Sequence, residues 1–123
     1  MVGTAAPTIL RFPMPIRQQL HEGILIVLPG TKLTASTTGE ELSKTVLQGL
    51  GDGIRNILFD FTEVEFIDSL GVGQVVTSYR LITEAGGRLI VCGLQPRVQT
   101  VLRMANLHLV LDIREKSAGD IQW

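Results

Sequence analysis

Three short, uninterrupted apolar runs restrict the folds open to this chain more than any other feature of its sequence. They span residues 24–28, 57–59 and 89–92. Runs of this length are typical of strands that are buried on both faces of a sheet. Amphipathic helical patterns separate the runs, and strands that alternate with helices pair in parallel through right-handed crossovers. The sequence therefore predicts an α/β fold with a small, largely parallel sheet.

An antiparallel hairpin is predicted ahead of the parallel strands, which makes the sheet mixed. Its first strand is Ile16 to His21, and the pair Glu22-Gly23 forms the tight turn into the run at 24–28. A short last strand is predicted from Leu109 to Ile113. The whole fold is then an opening hairpin followed by βα units, packed with about three to four helices.

The helices are predicted from apolar periodicity and from their start and stop signals. Thr37 and Thr38 each have a glutamate three residues later, which is capping-box spacing. The apolar face of this first helix consists of Leu42, Val46, Leu47 and Leu50. The second helix starts near Ser69, and its apolar stripe consists of Val72, Val75, Val76, Tyr79 and Ile82. Pro96 begins the third helix, since proline suits the first helical turn.

The length of 123 residues predicts one domain. We expect a flexible N-terminal arm at 1–15, where three prolines occur, the domain proper at 16–114 and a C-terminal tail at 115–123. A hydrophobic share of 45% is enough for a folded core. The net charge of −1 favours neither nucleic acid nor anionic lipid as a partner.

The expected location is the cytoplasm. One cysteine, Cys92, excludes an internal disulfide and fits a reducing compartment. Arg11 and Pro13 lie where a signal peptide needs its apolar core, so no secretion signal is predicted. No apolar stretch approaches the ~20 residues of a membrane span, so we expect no direct membrane insertion.

The stretch from Asp60 to Gln74 joins the second apolar run to the second helix, and it is rich in carboxylates. Its acidic residues are Asp60, Glu63, Glu65 and Asp68. No basic residue occurs between Arg55 and Arg80. Ser69 lies where the helix begins, a position suited to an N-cap and also to a phosphate, because backbone N–H groups and the helix dipole favour an anion there. Asp68 is an alternative N-cap.

Catalysis and cofactor binding are not predicted. Gly71 and Gly73 lack the spacing of a dinucleotide loop, and their role is either access to Ser69 or close packing. Cys92 has no His or second Cys nearby, so it is expected to be a buried strand residue. His21 and His108 are too isolated to suggest a metal site. No catalytic residue, cofactor or metal is therefore expected.

The segment Asp60-Phe-Thr-Glu-Val-Glu-Phe-Ile-Asp-Ser-Leu-Gly-Val-Gly resembles the signature of STAS domains, the anti-sigma factor antagonist family. The resemblance extends from Ile16 to Ile113 and implies a STAS-like fold. In that family the hydroxyl residue after the aspartate carries a regulatory phosphate, so the resemblance implies that Ser69 is the phosphoacceptor. One position departs from the sporulation-type antagonists, which usually have a second serine where this chain has Leu70.

The resemblance also implies a regulatory function without enzymatic activity. The unphosphorylated domain would bind an anti-sigma factor with a serine-kinase fold and release a sigma factor. That kinase would phosphorylate Ser69, and a serine phosphatase would remove the phosphate. The partner-binding residues expected from the motif are Asp60, Glu63, Glu65, Asp68, Ser69, Leu70, Gly71, Val72 and Gly73. Two alternatives are a scaffold subunit of a stress-signalling assembly and a STAS subunit that regulates a lipid or anion transport system.

Overall fold

The computed structural model describes residues 16–34 and 41–123. The strands are β1 (Arg17–His21), β2 (Ile24–Leu28), β3 (Lys32–Leu33), β4 (Asn56–Asp60), β5 (Phe66–Ile67), β6 (Arg88–Cys92) and β7 (Asp112–Arg114). The helices are α1 (Glu41–Gly51), α2 (Ser69–Glu84) and α3 (Pro96–Met104), with short 3-10 turns at Leu107–Leu109 and Ala118–Asp120. The predicted capping residues Thr37 and Thr38 lie outside the described residues, as does the predicted arm at 1–15.

The main sheet has five strands in the order β1-β2-β4-β6-β7. β1 pairs antiparallel with β2, and the remaining neighbours are parallel. The β1–β2 turn consists of Glu22 and Gly23, both with positive φ, as a two-residue hairpin loop requires. The predicted α/β class with an opening hairpin is confirmed.

All three helices contribute to the core on one face of the sheet. The buried helical side chains there are Leu42, Val46, Val75, Ile82, Val98 and Leu102. They pack against inward-facing strand residues such as Val27, Phe59 and Val91, which are fully buried. Because α2 follows β4 through the loop and β5, its first turn lies at the carboxyl end of the parallel strands. Ligand and partner sites of open α/β sheets often lie at this end.

The opposite face of the sheet is covered by the C-terminal segment. Ala118, Ile121 and Trp123 pack against a smaller apolar cluster that includes Leu58 and Ile90. This cover is incomplete along β2, where Leu25 and Val27 are buried and the alternate residues are only half-buried. The prediction that the run at 24–28 is buried on both faces is therefore correct for one face only.

Arg88 of β6 and Arg114 of β7 attach the C-terminal segment to the sheet by hydrogen bonds to the carbonyl oxygens of Trp123 and Gln122. Asp112 accepts hydrogen bonds from Arg114, at 2.6 Å to Nε, and from Arg88. The hydrogen bond from Arg114 holds the pKa of the Asp112 carboxyl below its usual value. Arg88 also lies over the Trp123 ring at 5.8 Å and donates to the Trp123 carbonyl oxygen. The residues predicted as a tail are thus packed on the domain.

Two details of the predicted elements are wrong. Leu47 is 52% exposed, since Gly49 occupies the inward position of α1 and lies against Leu25. The last strand begins at Asp112 and not at Leu109, because the chain reverses at Asn106 (φ 60°) and continues as a 3-10 turn. The apolar run at 109–111 therefore belongs mostly to a connection, and Leu111 alone among its residues is buried.

Candidate functional site

A two-stranded parallel pair holds the loop that leads to α2. In this pair Lys32 of β3 is opposite Phe66 of β5, and Leu33 is opposite Ile67. Leu33 and Ile67 are buried, so the pair is anchored in the core. Ile67 is followed at once by Asp68 and then by α2. The short strand β5 therefore fixes the place where the helix begins.

Asp68 is the N-cap of α2, and Ser69 is its first helical residue. Asp68 has extended backbone angles, and its Oδ1 accepts a hydrogen bond from the Gly71 N–H at 2.8 Å. Ser69 is exposed, and its hydroxyl forms no hydrogen bond with the rest of the described chain. Of the two predicted capping candidates, the structure selects Asp68. The Ser69 hydroxyl is accessible and plays no part in holding the helix.

The two glycines of the motif have different roles. Gly71 is buried, and a Cβ at this position would lie 2.9 Å from Ile67 Cγ1 and closer still to the Leu33 carbonyl oxygen. A Cβ on Gly73 would meet no atom within 4 Å. Gly71 is therefore required for close packing between α2 and the β3–β5 pair. Gly73 leaves an open surface one turn beyond Ser69.

Three of the four carboxylates of the loop are engaged within the described chain, and one of the three by a basic side chain. Asp60 is half-buried, and its Oδ1 accepts hydrogen bonds from the N–H and the hydroxyl of Thr62 at 3.0 and 2.6 Å. Glu63 forms an ion pair with Arg17, a residue of β1. Asp68 caps α2. Glu65 is therefore the one carboxylate of the four that is not engaged in this way. No basic residue occurs between Arg55 and Arg80, and the structure brings Arg17 to Glu63 from a distant part of the sequence.

Sequence reasoning missed an aromatic residue and an arginine beside the motif. Phe66 is 46% exposed, and the Arg97 guanidinium lies 4.8 Å from the centre of its ring. Gln95 Nε2 donates to the Thr62 carbonyl oxygen at 2.9 Å, which joins the start of α3 to the loop. The alternation of Phe66 and Ile67 in a strand could have indicated an outward aromatic side chain. Nothing local could have indicated Arg97.

The predicted partner-binding residues differ in their accessibility. Glu63, Glu65, Ser69, Leu70 and Gly73 are exposed. Val72 is half-buried against the core, and Gly71 presents no side chain. Leu70 is 60% exposed, although it is a large apolar residue next to Ser69. The exposed part of the motif thus combines a hydroxyl, an apolar side chain and a carboxylate.

The described residues include one free thiol, on Cys92. Cys92 is buried on β6, and burial together with the Asp60 carboxylate raises the pKa of its thiol to about 11. Its full burial on β6 confirms the prediction of a buried strand residue, and a raised pKa is the opposite of what a reactive thiol requires. Residues 16–34 and 41–123 include no group of three or more His, Cys, Asp or Glu side chains placed to hold a metal ion. No helix among them is long and apolar enough to cross a membrane.

The fold and the site define a small α/β module that exposes a serine at the start of a helix. The STAS domain family model matches residues 15–119, and the chain belongs to this family. STAS domains of the antagonist type are regulatory binding proteins and not enzymes.

Several known proteins are similar to this chain. The Anti-sigma F factor antagonist of Paenibacillus polymyxa is 29% identical over 86% of this chain and 91% of that protein. A STAS domain protein from Planctomyces limnophilus has a similar structure, with a TM-score of 0.74 at 19% identity over 85% of this chain and 92% of that one. The Bacillus cell fate determinant SpoIIAA in its phosphorylated form gives a TM-score of 0.64 at 18% identity, over 82% of this chain and 92% of that one. At these identities the structural likenesses show the fold alone.

The assignment of the helix cap leads to a prediction about stability. Asp68→Ala should lower the free energy of unfolding by about 1 kcal/mol, because the Gly71 N–H loses its partner at the helix N-terminus. Ser69→Ala should change it by only about a few tenths of a kcal/mol, since the exposed Ser69 hydroxyl makes no hydrogen bond within the described chain. Urea unfolding of the two variants measures the difference. A larger loss for Ser69→Ala than for Asp68→Ala would contradict the assignment of the cap.

Proposed function

We propose that this protein is an anti-sigma factor antagonist, which binds an anti-sigma factor with a serine-kinase fold and thereby releases a sigma factor. The observation that carries the proposal is the position of Ser69, which is exposed at the start of α2 and free of any structural hydrogen bond within the described chain. The name of the similar Paenibacillus polymyxa protein supports the same function. The proposed place of action is the cytoplasm.

The regulatory step we propose is phosphorylation of Ser69 by the bound kinase. A phosphate adds about −1.5 to −2 charge at neutral pH. The Asp68 carboxylate already accepts the hydrogen bond from the Gly71 N–H, so the helix N-terminus supplies less stabilisation to a second anion beside it. The phosphate therefore depends on water for its solvation. A partner that covers Ser69 must remove this water, and the complex becomes weaker.

Release of the partner and return to the binding form complete the proposed cycle. A serine phosphatase would hydrolyse the phosphate on Ser69 and restore a neutral, exposed hydroxyl. Because Ser69 lies outside the core and does not cap α2, the protein keeps its fold in both states. The switch then acts on the binding surface, and no rearrangement of the sheet or helices is required.

The site of phosphorylation can be tested directly by mass spectrometry. After incubation with ATP and the anti-sigma factor kinase from the same cell, we expect one phosphate per chain, located on Ser69 and absent from Ser69→Ala. Thr62→Ala is the matched control, because Thr62 is an exposed hydroxyl residue of the same loop. A phosphate on Thr62 or Thr77, with Ser69 unmodified, would show that the proposed switch is wrong.

A further inference from the structure

We infer that Phe66 and Leu70 form the apolar centre of the partner-binding surface, and that Arg97 on its rim pairs with a carboxylate of the partner. This inference rests on the proposed function and extends it to the chemistry of the bound surface. It places the main contacts on a β5–α2–α3 surface, defined here as Phe66, Leu70 and Arg97 around Ser69.

The two apolar side chains flank Ser69 and are both unusually exposed. Phe66 lies three residues before Ser69 and is 46% exposed, whereas Leu70 follows Ser69 directly and is 60% exposed. Exposed large apolar residues are common singly, but two of them beside a functional residue suggest a contact surface. Aromatic residues and arginine are enriched at protein interfaces, and the centre of an interface is more apolar than its rim. Phe66, Leu70 and Arg97 match this distribution.

Arg97 is the basic residue at this surface whose hydrogen-bonding capacity is unused. Its guanidinium lies over the Phe66 ring at 4.8 Å, and it forms no hydrogen bond with the rest of the described chain. A guanidinium carries five N–H donors in a geometry that matches a carboxylate. The ring contact holds the charged group in place before binding, so less side-chain entropy is lost when a partner arrives.

The loop carboxylates that have partners within the chain leave the Arg97 guanidinium available to an acidic group on the partner. Three of the four loop carboxylates are engaged within the chain: Asp60 by Thr62, Glu63 by Arg17 and Asp68 by the helix N-terminus. Glu65 lines a shallow depression of about 430 Å³ together with Arg97. Gln95 and Pro96 complete this depression. A partner group that enters this depression meets the free guanidinium donors. A carboxylate of the partner would pair with Arg97, and a neighbouring apolar side chain of the partner would pack on Phe66.

Among the described residues, five other large apolar side chains are exposed, namely Leu20 on β1, Leu47 on α1, and Met104, Leu109 and Val110. Met104, Leu109 and Val110 are at the end of α3 and the connection that follows. Since α3 begins beside the loop and runs away from it, these residues lie at the far end of the helix from Phe66. They provide controls of similar chemistry. Arg103 is likewise an exposed arginine of α3, at the opposite end from Arg97.

The test measures binding of the anti-sigma factor from the same cell to purified variants by surface plasmon resonance. Phe66→Ala and Arg97→Gln should each raise Kd at least about tenfold. Arg97→Gln should also reduce the dependence of Kd on salt, because an ion pair is lost. Met104→Ala and Arg103→Gln should bind like the wild type. Thermal unfolding checks that every variant is folded.

The outcomes separate this inference from the function on which it rests. If Phe66→Ala and Arg97→Gln are folded and bind as tightly as the wild type, while Ser69→Asp binds weakly, the inferred surface is wrong and the proposed function stands. If the controls lose as much affinity as the two test variants, the inferred location is wrong. If the wild type itself fails to bind the anti-sigma factor, both the proposed function and the inference fail.

Discussion

Gly71→Ala is expected to destabilise the domain by about 3 kcal/mol, the upper part of the usual range for overpacking. The added methyl group would overlap the backbone of Leu33 and would lie 2.9 Å from Ile67 Cγ1. Neither obstacle is the end of a flexible side chain, so relief requires movement of α2 or of the β3–β5 pair. A loss of this size is a large fraction of the roughly 5–15 kcal/mol that stabilises most domains.

Gly73→Ala is the matched control for this prediction. Its Cβ would point into open space, and an alanine in a helix is favoured over glycine by roughly 0.5–1 kcal/mol. The control variant should therefore be slightly more stable than the wild type. Urea unfolding followed by circular dichroism measures both free energies. Equal stabilities for the two variants would contradict the packing role of Gly71.

Ser69→Asp is expected to weaken binding of the proposed anti-sigma partner by about 30-fold or more. This factor corresponds to about 2 kcal/mol, the lower end of the cost of leaving a charge buried and unpaired at an interface. The added carboxylate lies next to Asp68 and must lose water when the partner covers it. The variant should remain folded, because the helix dipole favours an acidic residue in the first turn of α2.

Two neutral variants separate charge from size in this measurement. Ser69→Asn has nearly the shape of aspartate without its charge, and Ser69→Ala removes the hydroxyl. We expect Ser69→Ala to bind within about threefold of the wild type, because a hydrogen bond from a neutral hydroxyl contributes little net affinity. Ser69→Asn should fall between Ser69→Ala and Ser69→Asp. Isothermal titration calorimetry gives the affinities, and an equal loss for the asparagine and aspartate variants would show that bulk, and not charge, causes the effect.

Local sequence signals predicted the elements well where burial and turn chemistry agree. The runs at 57–59 and 89–92 lie in the buried strands β4 and β6, and Pro96 is the first residue of α3. The pair Glu22-Gly23 formed the hairpin turn. The prediction was wrong at 109–111, where three apolar residues suggested a strand. There the left-handed conformation of Asn106 directs the chain into a 3-10 turn, and apolar content alone does not reveal such a reversal.

The start of α2 was only partly predictable. The sequence placed a helix start at Asp68-Ser69 but left the N-cap open, because both residues suit that position. The choice depends on which residue adopts extended backbone angles. The buried pair of Leu33 with Ile67 fixes the path of the chain at this point, and Asp68 then takes the capping position.

The sequence by itself determined the α/β class, the order along the chain of the three helices and of the strands of the main sheet, and the motif around Ser69, but not the short strands β3 and β5. These depend on the periodicity of apolar residues and on short-range turn and capping signals. Only the tertiary structure decided the electrostatics and contacts of the site. Arg17, 46 residues before Glu63, neutralises that carboxylate, and Arg97 lies over Phe66. Contacts between residues so far apart in sequence depend on strand order and helix packing, so they leave no local pattern that a single sequence can reveal.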